Sequence, residues 1–327
     1  MLTLLLCLMS DPAAADPANA DLADAAPPIV RAAPVPLPTL GGSQFWTDVR
    51  LRSGWRIQRQ VFTGSHRLLD PAQLQHASGS LADCRAVLDC DDYRAKAPAM
   101  SGEVTLLLHG ILRGSSSMHR IGKRLDAAGM QPLRFDYSST QGTIEDAAAA
   151  LAEAIENLDP DVTRVNLVVH SMGGLVVRAY GKLLADGSLD ASKHRRLGRL
   201  VMIGTPNHGA EMASHLKNFA PFQALYGPAG RQLATSEATI GSLPAPPLEF
   251  GIIAGHRGTA GGYNPFIPGD DDGTVTVESA RLSGAADFIR IKGTHSFLLL
   301  QRNVAEATER FLADGAFRES GEREPIE

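Results

Sequence analysis

The sequence predicts an α/β fold, a doubly wound and mostly parallel sheet with helices on both faces. Three observations carry this. The runs at 103–108, 165–169 and 197–203 are continuously apolar and rich in β-formers, as suits strands covered on both faces. Stretches with apolar residues at helical spacing lie between them, among them 118–128 and 143–159. Strand, helix, strand, helix in this order and at this spacing is the pattern of right-handed parallel crossovers.

Length and composition set the frame for that sheet. With 327 residues, 44% hydrophobic and 20% charged, the chain has the material of one large α/β domain. A formal charge of -5 and a pI near 6.1 leave no basic footprint, which argues against nucleic acid as the main partner.

Residues 1–15 open with the apolar run MLTLLLCLM and offer an A-x-A pattern at Ala13 to Ala15, so they read as an export signal directing the chain to the periplasm or medium. No Lys or Arg precedes the run, and the alternatives are a misassigned start codon or a buried N-terminal strand, either of which would leave a cytoplasmic chain. The run is shorter than the roughly 18 to 20 apolar residues that span a bilayer. Residues 16–42 are rich in Ala and Pro without periodicity and read as a disordered linker. The domain is expected over 43–316, with a polar tail at 317–327. Cys84 and Cys90 are either a disulfide or two reduced thiols. On one continuous helix they would stand about 9 Å apart along the axis, beyond the roughly 7 Å Cα limit, so a disulfide requires a break near Asp89.

The elements follow in order. Residues 45–49 and 55–62 read as strands joined at Ser53-Gly54, an antiparallel edge to the sheet, and 81–96 as a helix ended before Pro98. Glu103 to Leu108 is a buried strand running into His109-Gly110-Ile111, with His109 a loop-shaping residue. Ser115, Ser116 and Ser117 look like capping material for the helix at 118–128, which Gly129 closes. A strand is expected at 131–137. Thr143 and Asp146 make a capping box for an alanine-rich helix stopping near Asp159-Pro160.

The stretch from Arg164 to Arg178, RVNLVVHSMGGLVVR, follows. Its strand must reverse into a helix within five residues, with Ser171 at the apex. Gly173 and Gly174 let the helix come close to the strand and leave the serine hydroxyl open. The pattern is that of a nucleophile elbow, G-x-S-x-G, except that Val169 stands at the first glycine. Valine there implies a wider turn or smaller neighbours.

Beyond the elbow, Leu197 to Ile203 leads into GTPNHG at 204–209, where His208 is a turn-stabilising residue or a substrate contact. Residues 210–247, apolar but broken by Pro and Gly, suggest a cap over the site. Leu248 to Ala254 is a strand, with Asp270, Asp271 and Asp272 on the loop beyond it. Asp287 to Ile291 is the last strand, followed by Gly293, Thr294 and His295 and an apolar helix at 297–312.

Ser171, one of the three aspartates and His295 thus occur in the order Ser, Asp, His, each just past the end of a strand. A serine hydroxyl is a poor nucleophile unless an imidazole takes its proton, and a carboxylate must hold that imidazole in the right tautomer. At these residues the chain resembles the α/β-hydrolase lipases and esterases, especially the group of bacterial triacylglycerol lipases and lipase-like GPI inositol-deacylases. The likeness rests on HG at Gly110, VHSMGG at Ser171, GTPNHG at Gly204, DDGTV at Asp272 and THS at His295, and runs from Glu103 to about Phe311.

The resemblance implies a serine esterase or lipase acting through an acyl-enzyme on Ser171, with His295 as base and Asp272, the aspartate directly before glycine, as its partner. It also implies an oxyanion hole from the backbone amides of Ile111 and Met172. No cofactor is called for, and a metal site built from the three aspartates lacks other evident ligands. The implied partners are an ester or lipid substrate and a transient lipid-surface contact. An acyltransferase or thioesterase would use the same residues, and a non-catalytic binding protein on this fold would be expected to have lost one of them. Oligomeric state and acyl-chain length are not encoded in spacing.

Overall fold

The computed structural model describes residues 42–209, 227–233 and 240–327. The export signal, nearly all of the linker and most of the 210–247 cap expectation lie outside the described residues. Among the described residues no helix is long and apolar enough to cross a membrane.

The chain begins with four antiparallel strands in sequential order, β1 (Trp46–Arg52), β2 (Trp55–Gln60), β3 (His66–Leu69) and β4 (Gln75–Gly79). Val49, Trp55, Ile57, Leu68 and Ala77 form the buried face of this sheet. Helix α1 (Leu81–Asp89) covers it with Cys84, Val87 and Leu88. The helix expected over 81–96 is interrupted. Cys90 takes extended dihedrals (φ -74°, ψ 158°), and only a single turn, α2 (Asp91–Arg94), follows. The break that a Cys84–Cys90 disulfide would need is therefore present, yet Cys84 is a free thiol. It faces the small core, and burial pushes its pKa up to about 11.

Six parallel strands form the main sheet, in the order β10-β9-β8-β7-β5-β6. They are β5 (Gly102–Leu108), β6 (Pro132–Phe135), β7 (Val162–His170), β8 (Leu197–Ile203), β9 (Glu249–His256) and β10 (Asp287–Lys292). On one face Val165, Leu167 and Val169 pack against α4 (Ile144–Glu156) and α5 (Met172–Ala185). On the other, Val168 and Leu107 meet α3 (His119–Ala127) and α7 (Arg302–Asp314). Both faces of β7 are thus dry, which is why its sequence is continuously apolar. A four-residue turn, α6 (Val277–Ala280), precedes β10. The two sheets touch where the Asp48 N–H donates to the Asp136 carbonyl (2.9 Å), laying β1 beside the end of β6.

Four expectations need correcting. The strand expected at 131–137 ends at Phe135, because Asp136 and Tyr137 turn their polar groups to β1 and to the loop after β5. Ser115 does not cap α3; its N–H and hydroxyl both donate to Asp136. The final helix starts at Arg302, not Phe297, since Gln301 is extended (ψ 135°) and its side chain donates to the Lys292 carbonyl (3.0 Å). The stretch after 316 is held against the domain: Phe317 and Ile326 are buried, the Gly284 N–H donates to the Ile326 carbonyl (2.8 Å), and the Ile326 N–H donates to the Ala285 carbonyl (3.0 Å).

Asp287 is the anchor of that stretch. Its fully buried carboxylate accepts from the Phe317 N–H (2.7 Å), the Glu324 N–H (2.8 Å) and the Arg318 guanidinium (2.9 Å). Removing the carboxylate strands the buried Phe317 N–H and leaves two part-buried donors to solvent, so Asp287→Ala is expected to lower stability by about 2 kcal/mol. A urea midpoint within error of wild type would contradict this role.

Candidate active site

Strand β7 ends at His170, α5 begins at Met172, and Ser171 makes the whole reversal alone at φ 53°, ψ -125°. L-residues rarely hold such a backbone, and it persists only where the surroundings over-determine it. Here the Ser171 N–H donates to the Ile203 carbonyl of β8 (2.9 Å), and α5 lies directly on the sheet. A Cβ at Gly174 would stand 2.3 Å from Thr205 Oγ1 and 2.8 Å from Met202 Cε. The close approach explains Val169 as well. Its ladder neighbours are Leu108 and Met202, and α5 crosses above those two side chains with glycines, so no narrowing is needed at Val169 itself.

The other two predicted residues arrive from loops after β9 and β10. Asp272 Oδ2 lies 2.7 Å from His295 Nδ1, and His295 Nε2 lies 2.9 Å from Ser171 Oγ. A carboxylate can only accept, so Nδ1 carries a proton, and in the neutral ring Nε2 is then the nitrogen that accepts from the serine hydroxyl. The aspartate is itself fixed, its second oxygen accepting from the Thr274 (3.0 Å) and Val275 (2.8 Å) amides. A main-chain bond from the His295 N–H to the Asp272 carbonyl (2.8 Å) ties the two loops together.

Asp270 and Asp271 do other work. Asp271 is fully buried and accepts from the Tyr263, Asn264 and Gly273 amides, closing the loop before the site. Asp270 accepts from the Arg257 and Gly258 amides and lies 3.3 Å from His256. His208 is exposed and its N–H donates to the Ser279 carbonyl, which keeps the 204–209 turn against the following segment.

The loop after β5 lies against the serine. A Cβ on Gly110 would come within 2.9 Å of Ser171 Cβ, so only glycine permits this approach. His109 is buried under the loop as expected of a shaping residue. Its Nδ1–H donates to the Gly110 carbonyl (2.8 Å), its Nε2 accepts from the Tyr137 N–H (3.3 Å), and its ring stacks on Tyr137 at 4.4 Å. With Nε2 unprotonated, the 3.8 Å approach to Asp136 is not an ion pair. Met172 follows Ser171 as the first residue of α5, and Ile111 follows Gly110, the residue of this loop that lies against the serine.

Two residues that sequence reasoning passed over complete the site. His170, 2% exposed, donates from Nε2–H to the His295 carbonyl (3.2 Å), and its ring lies 4.8 Å from that of His295. Its place beside the serine was the only sign of this in the sequence. Arg178 on α5 is 3% exposed and, among the described residues, its guanidinium donates only to main-chain carbonyls, those of Asn207, Ile240, Leu243 and Pro244. Burial draws its pKa down to about 10.

Comparison with known proteins adds the following. The family described as Domain of unknown function (DUF7379) matches residues 77–238. No curated protein matches. Similar solved structures include the mature form of the lipase BlEst2 of Bacillus licheniformis, 18% identical over 67% of this chain and 94% of that one, with a TM-score of 0.48. The propeptide form of that lipase is 20% identical over 62% of this chain (TM-score 0.47), and the match spans 48% of its own length. The phospholipase PlaB of Legionella pneumophila is 18% identical, covering 64% of this chain and 57% of that one, with a TM-score of 0.46. The fold stands on this chain's own architecture: six parallel strands, helices on both faces and a strained serine turn at the end of the central strand make it an α/β-hydrolase fold.

Burial pulls the His109 and His170 imidazoles below the ordinary histidine range, far below it for His170, to which the adjacent His295 adds. In the unfolded chain each titrates near 6.5. Below that pH the unfolded state binds protons that the folded state refuses, so stability is complete above pH 6.5 and falls beneath it, by up to about 1.4 kcal/mol per pH unit for each proton. Urea midpoints should therefore drop between pH 7 and pH 5, and His170→Asn should flatten the slope. A pH-independent midpoint would refute the neutral assignment.

Proposed function

We propose that this chain is a serine hydrolase that cleaves carboxylic esters, of the kind found among bacterial triacylglycerol lipases and lipase-like GPI inositol-deacylases. One observation carries the reading: the hydrogen-bonded series Asp272–His295–Ser171, ending on a serine at φ 53° whose hydroxyl lies 2.9 Å from His295 Nε2.

In this reading Ser171 Oγ attacks the ester carbonyl while His295 Nε2 takes its proton, and the alkoxide of the tetrahedral intermediate is met by the Ile111 and Met172 amides. Collapse expels the alcohol, which receives the proton from His295 and leaves an acyl-serine. Water then repeats the sequence and frees the acid. Asp272 holds the imidazole tautomer and stabilises the imidazolium. His170 suits this cycle because it stays neutral, so no second cation faces His295 when that ring is charged. Acyl transfer to an alcohol or thiol acceptor would share every step but the last, and the products formed with added alcohols separate the two.

Ser171→Ala is expected to abolish turnover of a nitrophenyl ester at unchanged thermal stability; retained turnover rejects the proposal. Among Asp270→Asn, Asp271→Asn and Asp272→Asn, only the last should lower kcat by about 10⁴-fold in the folded enzyme, since it spoils the imidazole tautomer. Turnover across an acyl-length series of esters would define the substrate.

A further inference from the structure

The sequence before residue 100 carries no recognisable motif, yet its side chains converge on the loop at 109–115. We infer that Gln44, Asp48 and Arg56 are positioning residues for that loop, acting mainly through Asp136, so that the N-terminal sheet is part of the device that binds the oxyanion. The inference rests on the ester-hydrolase reading above, in which Ile111 supplies one of the two amides.

The loop is held at its start, middle and end. At the start, Tyr137 donates its N–H to His109 Nε2 (3.3 Å) and its hydroxyl to the His109 carbonyl (2.6 Å). At the end, the Asp136 carboxylate accepts from the Ser115 N–H (2.6 Å) and hydroxyl (2.7 Å). In the middle, Leu112 sits at φ 57°, a conformation a leucine keeps only under restraint. Its N–H donates to Ser139 Oγ (3.1 Å), and the neighbouring Arg113 carbonyl accepts from Gln44 Nε2 (2.9 Å).

Two of these holding groups, Asp136 and Ser139, are in turn held by the N-terminal segment. The Asp48 carboxylate accepts from the Asp136 N–H (2.7 Å) while the Asp48 N–H donates to the Asp136 carbonyl (2.9 Å), so the main chain at 136 is pinned from both sides. Arg56 Nη1 donates to Asp136 Oδ2 (2.5 Å) and to Asp48 Oδ2 (3.2 Å), and Gln58 donates to the other Asp48 oxygen (2.9 Å). Gln44 Oε1 accepts from Ser139 Oγ (2.8 Å), the same hydroxyl that restrains Leu112.

The ion pair is 4% exposed at Arg56 and 8% at Asp136, where solvent screens little. Burial alone would raise both carboxyls. It does so for Asp48, to about 6, whereas Arg56 and the Ser115 donors hold Asp136 below the ordinary carboxylate range. Asp136 is thus the charged member that faces the loop. A loop fixed in this way presents the Ile111 amide without reorganisation at the moment charge develops, which is what makes such donors effective.

The test counts competent sites before measuring rates. Wild type, Arg56→Met, Arg56→Lys, Asp136→Asn and Gln44→Ala are titrated to completion with a fluorophosphonate that labels Ser171, and kcat and KM for a nitrophenyl ester are expressed per titrated serine. Arg59→Ala, which breaks the Arg59–Glu153 pair (2.7 Å) on the same strand, is the control. We expect kcat per site to fall at least about 10-fold in Arg56→Met and Asp136→Asn with KM within about 3-fold, because one oxyanion donor is worth about 10²–10³ in kcat. Arg56→Lys, which keeps the charge, should lie between Arg56→Met and wild type, and Arg59→Ala should match wild type. Gln44→Ala removes exposed and part-buried contacts to Arg113, Ser139 and Thr140, involves no buried charge, and should lose a smaller factor of the same kind. If the variants merely show fewer titratable serines or lower melting points, with kcat per site within about 2-fold of wild type, the inference is overturned. If wild type itself is not labelled at Ser171, the ester-hydrolase reading fails and takes this inference with it.

Discussion

Everything at the site depends on one strained residue being held still. Ser171 stores of order 1–3 kcal/mol in its backbone, against about 1.5–3 kcal/mol of stabilisation from each of the buried apolar side chains of β7, Val165, Leu167, Val168 and Val169. The balance favours the strain by a wide margin, provided that α5 rests on β8 at glycine distance. A larger residue at Gly174 would lift the helix and let the serine relax into an ordinary turn.

Placement of charge around this point is equally selective. Three consecutive aspartates meet three different sets of donors, and only Asp272 meets the imidazole that reaches Ser171; Asp270 lies by His256 instead. Three histidines lie near the serine, and burial keeps two of them uncharged. The low-dielectric surroundings that make an unpaired charge costly also make the surviving Asp272–His295 contact strong.

The sheet, the elbow and the order of the three polar residues were legible because each depends on local pattern: an apolar run, a glycine pair, a turn residue at a strand end. Val169 looked like a defect in the motif only because the helix above it, with its glycines over Leu108 and Met202, cannot be read from strand residues alone. The helix boundaries missed at Cys90 and Arg302 turn on single extended residues whose side chains or neighbours are satisfied elsewhere. The supporting polar groups were illegible for a different reason. Arg56 and Asp136 are 80 positions apart, and Gln44 and Arg113 are 69 apart, so no spacing rule links them. Their types, an arginine in a short antiparallel strand and an aspartate after a strand, are those of any solvated surface.

Arg178 has an implication for how this part of the chain tolerates change. Its guanidinium holds residues 240–244 wholly through main-chain oxygens and so makes no demand of its own on which side chains those residues carry. Ile240 and Leu243 still face the core, which confines them to apolar residues of similar volume. The exposed positions 241 and 244 are the ones that can drift, and they can do so without disturbing the helix that begins after Ser171.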